Sequence, residues 1–100
     1  MSFLKASECV AKAAGVEVTE DRLMVELADG RVLSVPISWF PRLQEGTAEE
    51  RENFELMANG TGIHWPLLDE DISVEGLLRG RASMESPGSL MRWRASRRRA

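Results

Sequence analysis

The chain has one cysteine, one histidine and no apolar run near the roughly 20 residues that span a bilayer. Each scarcity excludes something. With Cys9 alone no internal disulfide can form, and a reducing compartment fits best. With His64 alone and no paired cysteine, a zinc site lacks enough of its preferred ligands. Met1 to Gly15 has neither the basic start nor the long apolar stretch of a signal peptide, because Lys5, Glu8 and Lys12 interrupt it. No glycine loop precedes a helix to cradle phosphate; Gly60-Thr61-Gly62 is too short and follows a helical segment. A cytoplasmic protein is expected.

What is present is ordinary in amount and uneven in placement. The 100 residues are 43% hydrophobic and 29% charged, enough for one globular domain. The net charge of −3 hides a split. Residues 1–80 hold fifteen acidic and seven basic side chains; residues 81–100 hold Glu85 against six arginines. A compact acidic domain over 1–80 and a basic, flexible tail over 81–100 are expected.

The clearest local signal is a hairpin. Leu23, Val25 and Leu27 alternate with Met24 and Glu26, and Arg31–Val35 follows Ala28-Asp29-Gly30. A two-residue loop would mix polar and apolar residues on both faces. A three-residue loop with Gly30 left-handed pairs Val25 with Leu33 and Leu23 with Val35, placing all the apolar residues on one face. The three-residue loop is therefore expected. Val16–Thr19 alternates as a strand does. Before it, Ser7 either caps a short helix or the chain leads straight into that strand. Pro36 ends the hairpin, and Ser38–Pro41 reads as a turn-like link. Thr47-Ala48-Glu49-Glu50 is a capping box opening a helix to about Met57. Ile63-His64-Trp65 reads as a short strand stopped by Pro66. Ser73 caps a last helix, Val74 to Leu78, with Gly80 past its end. The expected class is α+β: a small antiparallel sheet with the hairpin near 22–35, strands near 14–19 and 62–65, and short helices near 48–57 and 74–78.

The order of pieces is recognisable at Asp29-Gly30-Arg31, Val35-Pro36, Trp39–Leu43, Thr47…Glu50-Arg51, Gly60–Pro66 and Leu68–Leu78. The chain resembles the bacterial domain-of-unknown-function 2442 family, in the branch ending GIHWP-x-LDEDISV-x-GLL, over about residues 16–80. The resemblance implies a small antiparallel sheet with short helices. It also implies gene pairs that look like toxin–antitoxin modules, with a helix-turn-helix domain following in some relatives. No such domain is recognisable after Gly80, and the family offers no catalytic residue to carry over.

Three constellations invite a function. His64 with Asp69, Glu70 and Asp71 has metal-like ligand types, but three adjacent carboxylates cannot all point one way. The competing reading is a satisfied histidine beside carboxylates at a helix start. No metal, cofactor or catalytic residue is assigned: acid–base work by His64 would need a second group and a pocket, and Cys9 reads as a small buried hydrophobe. Trp39, Phe40 and Trp65, with Arg42 close in sequence, are of the types that anchor protein interfaces, though the reading in which both tryptophans finish the core weighs more. In the tail, Arg92, Trp93, Arg94, Arg97, Arg98 and Arg99 interleave cations with a stacking ring, as single-strand binders do; a solubilising tail, or one folded back on the acidic body, is the alternative. The leading expectation is a small non-enzymatic protein–protein interaction module, antitoxin-like, that binds a partner encoded by the adjacent gene through Trp39, Arg42, His64, Trp65, Asp69, Glu70 and Asp71. The alternative is a nucleic-acid-binding or regulatory protein acting through the arginine tail.

Overall fold

Two three-stranded antiparallel meanders carry the fold, in the orders β1-β2-β3 and β4-β5-β6. The computed structural model describes residues 10–98; Ser7, Cys9 and Arg99 lie outside the described residues. The first sheet comprises β1 (Ala13–Val18), β2 (Arg22–Leu27) and β3 (Val32–Pro36). Its hairpin uses the three-residue loop: Val25 faces Leu33, Leu23 faces Val35 and Glu26, not Leu27, faces Val32. The Gly30 amide donates to the Leu27 carbonyl at 2.9 Å and Gly30 has φ +97°, a conformation open to glycine at little steric cost. That loop sets the register, and with it Leu23, Val25, Leu27 and Val35 are buried while Glu26 and Ser34 face water.

A turn at Ile37–Trp39 leads into α1 (Pro41–Gln44). Pro41 fills the first helical position, where its missing N–H costs nothing. The helix α2 (Ala48–Glu52) opens on the expected capping box: the Glu50 amide donates to Thr47 Oγ1 at 3.1 Å and the Thr47 amide to Glu50 Oε1 at 2.8 Å. It stops well short of Met57. Asn53 leaves the helical region at φ −88°, ψ 83°, and residues 55–57 become a strand. The Arg51 side chain turns back to donate to the carbonyls of Leu43 at 2.8 Å and Gln44 at 2.7 Å, closing the end of α1.

The second sheet comprises β4 (Glu55–Met57), β5 (Gly62–Trp65) and β6 (Glu70–Ser73). The segment 62–65 thus pairs with its own neighbours and not with the first hairpin. Asn59-Gly60 supplies the reason: Ala58, Asn59 and Gly60 all have positive φ, and the chain reverses at once. Gly60 also lies against β1, where a Cβ would fall 2.9 Å from the Ala13 carbonyl oxygen. Val74 to Leu78 forms α3, with the Gly76 amide donating to Ser73 Oγ at 3.1 Å.

Apolar residues of both sheets and of α1 and α3 meet in one core. Leu23, Leu43, Trp65, Leu68 and Val74 are its fully enclosed members. Burying each such aliphatic side chain is worth about 1.5–3 kcal/mol. The class is α+β. Among the described residues no helix is long and apolar enough to cross a membrane. Beyond Gly80 the chain runs without regular structure to Ser86 and then forms α4 (Pro87–Arg98).

Candidate functional site

The turn from β5 to β6 passes through Pro66–Asp69, with Asp69 at φ +51°, a conformation that aspartate tolerates better than most residues. That turn aims three consecutive carboxylates differently. Asp71 stands on the outer face of the sheet opposite His64; Glu70 turns beside Arg42; Asp69 is exposed at the turn. Between β6 and the segment 81–86 lies an open groove of ≈ 520 Å³, walled by Phe40, Arg42, Asp69, Glu70, Asp71, Met84 and Glu85 among others.

Arg42 organises this groove. Its Nε donates to both Glu85 carboxylate oxygens, at 2.9 and 3.0 Å, and its Nη2 donates to Glu85 Oε2. Its Nη1 donates to the carbonyls of Leu68 at 3.2 Å and Asp69 at 3.0 Å. A planar fork that meets one carboxylate and two carbonyls at once is a task lysine could not perform. The pairing raises the guanidinium further above its usual range and holds the Glu85 carboxyl below its own.

Glu70 is the unsatisfied member. Its Oε1 accepts from the Asp71 amide at 3.2 Å, while its Oε2 is shielded from water and has no hydrogen-bond partner. Burial pushes this carboxyl up to about 7, against the opposing pull of the Arg42 charge. It therefore titrates near neutrality.

His64 pairs through Nδ1 with Asp71 Oδ1 at 2.7 Å, with its cross-strand neighbour Glu55 on the other side. It does not line the groove, and reaches it only through Asp71. Trp39 is half-buried; its carbonyl accepts from the Ser83 amide at 2.9 Å and so ties down the groove's far wall. Trp65 is fully enclosed, its Nε1 donating to the Arg51 carbonyl at 3.0 Å. It fixes α2 to the core and presents no surface to a partner. Among the described residues, no three of His, Cys, Asp and Glu are placed to hold a metal ion.

The family described as "Protein of unknown function (DUF2442)" matches residues 13–83. The chain belongs to this family. No curated protein matches it. Two solved structures are similar to the DUF2442 fold seen here. A protein of unknown function from Rhodospirillum rubrum ATCC 11170 shares 26% identity with a TM-score of 0.64, over 75% of this chain and 93% of that one. The uncharacterised protein CV0863 from Chromobacterium violaceum shares 25% identity with a TM-score of 0.62, over 81% of this chain and 74% of that one.

The DUF2442 match ends four residues before α4, which lies against the acidic body. Arg94 donates to Glu45 at 2.5–2.9 Å, and Arg97 meets Glu50 in a two-pronged pair at 2.8 Å on each side. The guanidinium groups of Arg42, at 5.2 Å, and Arg97, at 4.6 Å from the ring centroid, both lie over the Trp93 ring. The pairing with Arg97 lowers the Glu50 carboxyl to about 2, and Arg94 lowers that of Glu45. Arg92 and Arg98 are exposed. Sequence reasoning missed Glu45, Glu50 and Glu85 as partners. Two signals pointed to them: Glu85 is the tail's one carboxylate, and Leu90, Trp93, Arg94 and Arg97 follow helical spacing.

Proposed function

We propose that this chain is a small non-enzymatic protein–protein interaction module, antitoxin-like in kind, that binds the product of an adjacent gene through the groove beside β6. Arg42, Asp69, Glu70 and Asp71 form its contact surface; His64 lies beside it across Asp71, and Trp39 supports its far wall. The observation that carries this reading is Glu70 Oε2, a shielded acceptor without a donor beside an open groove. A buried polar atom left unpaired is costly, so a partner N–H that meets Oε2 as the half-buried Glu70 side chain turns toward the groove would gain more here than on open surface. The mixed lining adds to it: Met84 is 94% exposed, and Phe40 lies at the groove floor beside the charged residues.

The reading is tested by co-expressing the chain with the neighbouring gene product. A stable complex is expected, broken by Glu70→Lys and kept by Glu17→Lys on the opposite sheet. If the two never co-purify and neither is toxic alone, the reading fails.

The nucleic-acid alternative has less support. Binding phosphates through Arg94 and Arg97 would require them to leave Glu45 and Glu50. Arg92 and Arg98 remain free to meet a backbone. Steep weakening by salt, and loss on truncation after Gly80, would favour that alternative.

A further inference from the structure

The acidic body holds α4 through ion pairs that are partly open to water and through Trp93, which packs half-buried against the edge of the core. The Arg94–Glu45 side chains are 43% and 35% exposed, and those of Arg97 and Glu50 are 28% and 19% exposed. Such pairs are individually weak and weaken further with salt. The helix itself has twelve residues, near the lower limit for an isolated helix in water, and buries none of them fully. The segment joining it to α3 has no regular secondary structure and is held by the Arg81 amide on the Gly76 carbonyl, the Ser83 amide on the Trp39 carbonyl and the Glu85 clamp on Arg42. A helix so tethered can leave and return as a unit.

What α4 occupies is more specific than an acidic patch. It is a fixed pattern: a carboxylate from α1's end, a carboxylate from the capping box of α2, and a guanidinium face above which an indole rests. Of the two carboxylates, that of Glu50 is positioned independently of α4, since it is held by the Thr47 amide. The ligand that matches carries an aromatic ring at one helical position and arginines one and four residues later, as Trp93, Arg94 and Arg97 do. All three receptor residues lie inside the matched family segment, and the helix lies outside it.

We propose that Glu45, Glu50 and the Arg42 face form a docking site for an arginine-bearing amphipathic helix of a partner protein, and that α4 is a resident copy of that ligand. Tethering gives α4 an effective concentration of order millimolar for short flexible linkers. A second copy of the same helix has no advantage over it. A partner helix displaces it by adding contacts, and displacement frees Trp93, Arg94 and Arg97 together. This site is distinct from the β6 groove, with Arg42 common to both.

The test uses the full chain and a blocked, labelled peptide with the sequence of residues 86–98. In wild type the resident helix competes, so binding is weak. In Arg94→Glu/Arg97→Glu the site is vacated, and the peptide should bind at least tenfold tighter. Adding Glu45→Arg/Glu50→Arg should abolish that gain. Equal affinity for wild type and the vacated variant, or no binding to a folded vacated variant, would overturn the proposal. If the double variant does not fold, Arg97→Gln alone should still tighten binding severalfold, and no change sinks the idea. Dimers formed by exchange of α4 in sedimentation would make a second copy the occupant, and the partner proposal would fall. None of these measurements involves the adjacent gene product, so this proposal and the groove reading fail separately.

Discussion

Arg42 and Glu85 are 43 residues apart in sequence and form a forked ion pair with side chains only 12% and 13% exposed. The pair fastens the segment after α3 to the helix that follows the first sheet. It also sets one wall of the groove and places the Arg42 guanidinium over the Trp93 ring.

Removing that fork should be expensive. Arg42→Met leaves the Glu85 carboxylate without its cation and the Leu68 and Asp69 carbonyls without a donor, a loss of about 2–4 kcal/mol. Urea unfolding should show a lower midpoint with an unchanged slope. Arg42→Lys should recover only part, since an ammonium cannot reproduce the fork. A loss under about 0.5 kcal/mol for the methionine variant would contradict this account.

Glu70 should make the protein less stable as pH rises through neutrality. Its folded value of about 7 is above the ordinary 4.5. The folded state therefore keeps a proton that the unfolded chain releases, and the relative stability it confers is complete below pH 4.5 and lost as pH rises through about 7. Glu70→Gln should flatten this part of the profile. Unfolding midpoints at pH 5 and pH 8 measure it; identical profiles for variant and wild type would refute it.

The Glu50 carboxyl has the opposite sign. Its folded value of about 2 is below 4.5, so its contribution is present above pH 4.5 and fades as pH falls toward 2. Docking of α4 should weaken over the same window. The Trp93 indole resonance should report the change, and Glu50→Gln should shift it toward the undocked position already at pH 7. A resonance that ignores both acid and the variant would show that the pair does not hold the helix.

The two glycines with the largest positive φ should differ under substitution. Gly30 has φ +97° and open space where a Cβ would go, so Gly30→Ala should cost about 1–2 kcal/mol of conformational strain. Gly60, at φ +89°, has the Ala13 carbonyl oxygen 2.9 Å from that Cβ position. Gly60→Ala should cost at least ~1 kcal/mol more, because β1 must move. Equal thermal midpoints for the two variants would disprove the contact argument.

Much of the local architecture was legible in the sequence because it depends on neighbours in the chain. The three-residue hairpin loop, the Thr47–Glu50 box, the Ser73 cap and the stop at Pro66 each follow from residues within about four positions of one another. The family was legible for a related reason: its last motif packs turn, strand and cap into one short run. The partition into two sheets was not. Asn59-Gly60 can end a helix or reverse a strand, and the choice depends on whether Glu55–Met57 finds Gly62–His64 beside it.

The site divides along the same line. The sequence by itself determined which residues carry chemistry: an acidic body, an arginine tail, and His64 amid carboxylates. Only the tertiary structure decided their partners. It buried Trp65, paired His64 with Asp71, left one oxygen of Glu70 without a donor and set Arg94 and Arg97 on Glu45 and Glu50. The two arginine pairings join residues 49 and 47 positions apart, and Coulomb attraction and desolvation act on distances in space that no local pattern encodes.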